Sequence, residues 1–182
     1  MPKFSRDKGN RFERRISKLL GEVYNMRIGR VPLSGALHLK CDVYDIDAVG
    51  FPLYIECKFH ESFKFSHITG ENWELYGYWL KCYNDLQSNA DYFRNQGFID
   101  LPVPMVVFKG GIFKQEYALI PNEMLEIPLY HVNSVVKFDS IKKAIDFCIV
   151  ELDNVDWLDA IPVLKKKRPV YIRHQEDDGY AD

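Results

Sequence analysis

Two segments constrain this chain most: Cys41-Asp42-Val43-Tyr44-Asp45-Ile46-Asp47 and Tyr54-Ile55-Glu56-Cys57-Lys58, joined through Val49-Gly50-Phe51-Pro52. Both carry the alternating apolar and polar pattern of strands, and Gly50 supplies the dihedrals a tight turn needs, so the pair is expected as a β-hairpin. Side chains alternate along a strand, which puts Glu56 and Lys58 on one face and Cys57 on the other. A carboxylate from the first strand can join them. Buried charges need partners, so two carboxylates and one ammonium make poor packing but good company for a divalent cation and a water. That is the logic of metal-dependent phosphodiester cleavage.

Which acid joins them is open from the sequence. An ideal hairpin centred on Gly50-Phe51 sets Asp45 opposite Glu56, and Asp42 then needs a bulge to reach the same face. A blander alternative is a surface hairpin with a cross-strand ion pair from Asp45 or Asp47 to Lys58. It leaves the features described next unconnected.

The chain has 182 residues, enough for one domain with elaborations and a substantial core. Without a long apolar run or an apolar segment between Met1 and Asn10, neither a membrane span nor a secretory signal is expected, and the cytoplasm is the expected compartment. Cys41, Cys57, Cys82 and Cys148 are scattered singly, which suits reduced thiols rather than a disulfide framework. His38, Cys41, Cys57 and His60 have loosely zinc-like spacing. Because Cys57 points away from Glu56 and Lys58, a buried thiol is the better reading.

The formal net charge is −2, yet residues 1–30 hold nine basic and three acidic side chains, leaving a deficit of −8 on the rest. A basic N-terminal segment on an acidic body suits phosphate binding. Residues 7–24 read as a helix, with Phe12, Ile16, Leu19, Leu20 and Val23 forming one apolar stripe. A basic loop from Arg27 to Leu39 follows, then the hairpin. Asn72 to Gln96 reads as one long helix, aromatic-rich from Trp73 to Phe93 and closed by Gly97. Val103–Phe108 and Phe113–Ile120 read as a strand pair around Gly110-Gly111. Beyond Pro121 the pattern weakens: Ser140–Val150 suggests a helix, and a charged tail holds Lys165-Lys166-Lys167-Arg168 and Glu176-Asp177-Asp178. The expected fold is α/β, with a core over residues 1–121 and an extension over 122–182 packed on it.

At these residues the chain resembles the PD-(D/E)XK nucleases, the restriction-endonuclease-like superfamily, and within it the archaeal and phage Holliday junction resolvases. The resemblance rests on Lys8-Gly9-x-x-Phe12-Glu13-Arg14, on Arg30 with Ser34-Gly35, on Cys41-Asp42-Val43, on Ile55-Glu56-Cys57-Lys58, and on a later helix with Gln87. It covers about the first 120 residues and implies an αβββαβ core with a mixed central sheet flanked by helices. It also implies that Asp42 and Glu56 hold Mg²⁺, with Mn²⁺ as a substitute, since hard cations favour carboxylate oxygens. The Cys57 carbonyl would complete the shell, Glu13 would join it through water or a second ion, and Asp45 stays in reserve as a ligand.

Lys58 would orient or deprotonate the attacking water. Lys8, Arg11, Arg14, Arg15, Arg30, Ser34, Gly35 and Gln87 are the DNA contacts the resemblance and the basic charge suggest. The implied partner is branched DNA such as a four-way junction, in a phage or its prokaryotic host. Two symmetric incisions would suit a C2 homodimer. A restriction-type or nonspecific nuclease, or a non-catalytic DNA-binding protein on the same fold, are the alternatives.

Overall fold

The structure is a computed structural model that describes residues 3–31, 39–64, 74–125, 134–139 and 144–166. It opens with helix α1 (Lys3–Tyr24), then strands β1 (Ile28–Arg30), β2 (Val43–Asp45) and β3 (Leu53–Phe59). Helices α2 (Glu74–Ser88) and α3 (Ala90–Asn95) lead to β4 (Val103–Gly110) and β5 (Phe113–Pro121). Strands β6 (Ser134–Asp139) and β7 (Ala144–Glu151) and the single turn α4 (Trp157–Ala160) complete the described chain.

The strands form one seven-stranded sheet in the order β1-β2-β3-β4-β5-β7-β6. Among the described strands only β3 and β4 run parallel, and the crossover between them carries α2 and α3. This is a mixed α/β sheet with helices on its faces, as in the restriction-endonuclease-like fold expected from the sequence.

Two apolar layers explain the sandwich. Phe12, Ile16, Leu20 and Tyr24 of α1 pack on one face against Val43, Ile55, Cys57, Met105 and Val107. Leu75 and Trp79 of α2 cover the other, against Val106, Phe108, Leu119, Phe147 and Ile149. Strands buried on both sides lose the alternating pattern: β4 duly reads as a near-continuous apolar run, whereas β3 is apolar only as far as Ile55 and alternates from Glu56 to Phe59. Among the described residues no helix is long and apolar enough to cross a membrane.

Three sequence expectations are corrected. Ser140–Val150 is not helical where it is described: Ala144–Glu151 is strand β7, between β5 and β6. Phe147 and Ile149 face the α2 layer while Cys148 and Val150 face the α1 layer, so the run is apolar all round and its periodicity suits either structure. The long helix is two helices. Asn89 breaks it by donating its side-chain amide to the Asp85 carbonyl at 2.7 Å and to the Tyr54 hydroxyl at 3.1 Å. The loop after α1 contains β1, paired antiparallel with β2.

Gly50 is at the expected turn with φ +120°, and a Cβ there would lie 2.7 Å from the Leu164 carbonyl oxygen. Ser34, Gly35, His38, Trp73, Lys167, Arg168 and the acids at 176–178 lie outside the described residues.

Candidate active site

The register of β2 on β3 decides which acid meets Glu56. Val43 pairs with Ile55, and Asp42 N–H donates to the Ile55 carbonyl at 2.9 Å, so Asp42 stands across from Glu56. The ideal hairpin register is not adopted, and Asp45 itself is the cause. Its carboxylate accepts the backbone N–H groups of Asp47 (3.2 Å), Gly50 (2.8 Å) and Phe51 (3.0 Å). The chain winds around that side chain instead of pairing, which lengthens the connection and shifts the register. Asp47 is bonded to Arg27 at 2.9 Å rather than to Lys58. The surface ion pair of the blander reading is therefore not formed.

On the face shared with Asp42, Glu56 is buried and accepts Lys58 Nζ at 2.5 Å. Lys58 Nζ also sits 4.9 Å from the centre of the Tyr78 ring, a cation–π contact supplied by α2. The Asp42 carboxylate accepts the Cys57 N–H at 2.7 Å, which draws the Cys57 backbone into the cluster. Burial raises the Asp42 carboxyl to about 7, with Glu56 and then Glu13 adding repulsion against the Cys57 hydrogen bond and Lys58. A carboxyl so poised is neutral or charged according to what else enters the site.

Glu13 on α1 is near enough to act on Asp42, but its carboxylate is bonded to Arg30 Nε from β1. Among the described residues no three His, Cys, Asp or Glu side chains converge as a ready-made metal cage. Two facing carboxylates are nonetheless a fitting donor set for Mg²⁺, which keeps several waters and commonly takes only one or two protein carboxylates. Cys57 points into the α1-side core, and burial raises its thiol well above the usual range.

The basic residues divide. Lys8 is bonded to Glu61, and Arg15 Nε lies 3.0 Å from the buried Glu116. Arg11 and Arg14 are exposed and make no ion pair among the described residues. Gln87 is exposed on α2 and makes no side-chain hydrogen bond among the described residues. Besides Tyr78, the α2 side chain that reaches the carboxylates is Lys81, whose Nζ lies 3.3 Å from Glu56 Oε1 and 3.2 Å from Asp85 Oδ2. Burial opposes its charge, but Glu56 and Asp85 outweigh that and raise its pKa.

Sequence reasoning missed Lys81, Tyr78 and Asp85. The available signal was the helical spacing of Glu74, Tyr78, Lys81 and Asp85, a polar stripe beside the apolar Leu75, Trp79, Cys82 and Leu86.

A family model described as "Phage putative PDDEXK endonuclease" matches residues 4–162 of the chain. No curated protein and no solved structure matches it.

Proposed function

Since the chain belongs to the phage PDDEXK endonuclease family, and so is a nuclease of the PD-(D/E)XK class, we propose that it cuts DNA with a divalent metal held by Asp42 and Glu56. The observation that carries this reading is the β2–β3 register, which sets two carboxylates face to face beside Lys58. A divalent cation held there, Mg²⁺ with Mn²⁺ as substitute, would activate the attacking water and offset charge on the phosphate. Lys58 is the group that orients or takes a proton from that water. The Cys57 backbone supplies a further oxygen beside the pair. Glu13 contributes through Arg30, whose guanidinium it fixes for a phosphate. Asp45 serves the turn, because three N–H groups already occupy its carboxylate.

Branched DNA is the substrate class we favour within this chemistry. The basic, exposed face of α1 has no base-reading motif, and such a face recognises phosphate geometry rather than sequence. A C2 dimer is the assembly that two symmetric incisions would need. The α2 aromatics are largely taken up by the core rather than left for such an interface, since Trp79 stacks between Tyr76 and Tyr83 and packs edge-on against Phe147.

The deciding experiment is Mg²⁺-dependent cleavage of four-way junction, flap and linear duplex DNA, with sedimentation to give the assembly. Paired nicks near the branch, lost in Glu56→Ala and Lys58→Ala while binding persists, are expected. Equal cutting of linear duplex would reject the junction role and leave a restriction-type or nonspecific nuclease. Cleavage that survives both substitutions would reject the site itself.

A further inference from the structure

Glu56 is countered more heavily than one carboxylate requires. It takes Lys58 Nζ at 2.5 Å and Lys81 Nζ at 3.3 and 3.4 Å. The two cations differ in how firmly they are held. Lys58 shares the strand with Glu56, is 26 % exposed and rests over Tyr78. Lys81 comes from α2, is 56 % exposed, and has a second acceptor in Asp85 at 3.2 Å. Asp85 is itself partly buried and also pairs with Lys40 at 3.5 Å.

With Asp42 across from Glu56 and Asp85 beside Lys81, three carboxylates meet the three ammoniums of Lys58, Lys81 and Lys40, and their charges balance without any further cation. A divalent cation between the carboxylates leaves the face with excess positive charge, and like charges this close repel strongly in a partly buried setting. One ammonium then yields. The one that is solvent-exposed and has another carboxylate to go to is Lys81.

We propose that Lys81 is a stand-in for the metal: it neutralises Glu56 in the metal-free protein, moves onto Asp85 when a divalent cation loads, and there offers its charge to the DNA phosphate. The inference rests on the nuclease reading above and makes Lys81 a positioning residue of that site, with Asp85 as its second seat. It also accounts for a half-exposed lysine aimed at a buried carboxylate that already has a partner.

The test is Mn²⁺ binding to the whole chain without DNA, followed by electron paramagnetic resonance, which reads loading and not turnover. Lys81→Met removes the competing charge and is expected to bind Mn²⁺ roughly threefold to tenfold more tightly than the parent. Lys81→Arg restores parental affinity. Asp85→Asn removes the second seat, ties Lys81 to Glu56, and weakens binding. At saturating Mg²⁺, Lys81→Met has a raised KM for DNA. Thermal melting of each variant reports folding, and the exposed Lys81 position is expected to shift Tm by no more than about 2 °C.

Unchanged or weaker Mn²⁺ binding by Lys81→Met would overturn the proposal and leave a surface ion pair. Glu56→Ala separates the two readings. If it abolishes Mn²⁺ binding and cleavage while Lys81→Met behaves as the parent, the nuclease site stands and the role of Lys81 falls. If Glu56→Ala still binds Mn²⁺ and cuts DNA, both fall together.

Discussion

Glu56 and Glu116 are both buried carboxylates, 4 % and 2 % exposed, and each is held by two cations. Glu116 lies on the α1 side of β5, with Arg15 Nε at 3.0 Å and Lys109 Nζ at 2.8 Å. Glu56 lies on the α2 side of β3, with Lys58 and Lys81. Up to that point the two arrangements match. They part at the next side chain, because Glu56 faces Asp42 whereas the groups paired with Glu116 are cations alone. A buried acid between two bases is satisfied and asks for nothing further. Glu56 and the partly buried Asp42 facing each other are not: burial raises the Asp42 carboxyl first, and the Glu56 charge adds to it. Burial of charge therefore does not separate a reactive site from a structural ion pair. The company of a second like charge does.

The largest expected effect is on cleavage. Glu56→Ala should lower the single-turnover rate by about a thousandfold or more, while Glu116→Ala leaves the rate per folded molecule within roughly threefold of the parent. Equal losses in the two variants would break the contrast outright.

A stability measurement against pH sharpens it. The Asp42 carboxyl is raised to about 7 in the folded protein, against an unfolded value of about 4. Between those values the folded state holds a proton that the unfolded state has released. Stability should therefore fall as pH rises from about 4 to 7, by on the order of 4 kcal/mol at most. Urea melts at both ends of that window test this. Asp42→Asn should flatten the slope by gaining stability at the high end, and added Mn²⁺ should do the same for the parent. A steeper slope in Asp42→Asn would show that the carboxyl is not strained.

The ion pairs themselves should differ. Lys109→Met leaves buried Glu116 with the half-exposed Arg15 alone and should cost about 2 kcal/mol in urea unfolding. Lys81→Met should cost under about 1 kcal/mol, because Lys58 still covers Glu56.

The smallest effect concerns DNA binding. Arg11→Ala and Arg14→Ala, at exposed cations without ion pairs among the described residues, should each weaken binding severalfold and reduce the salt slope by about 0.9. Arg15→Ala should reduce it less, since Glu116 already claims that guanidinium.

Much of this was legible in the residues. Strand alternation alone puts Glu56 and Lys58 on one face and buries Cys57 on the other, and α1 follows from its apolar stripe. The turn at Gly50 follows from the conformation that residue permits. Local chemistry fixes such features, because each depends on neighbours within a few residues. The strand β7 did not show itself, because a segment buried on both faces loses the period that would tell strand from helix.

The sequence by itself determined that this chain carries an acidic and basic pair on one strand, a basic helix, and the family pattern that joins them. Only the tertiary structure decided which acid faces Glu56 and which helical side chain reaches it. Asp42 was chosen by the hydrogen bonds that bind Asp45 into the turn, and Lys81 was chosen over Gln87 by the way α2 lies on the sheet. The first is a strand register set by one side chain in the turn and the second joins residues far apart in sequence, so neither could be read from a local pattern.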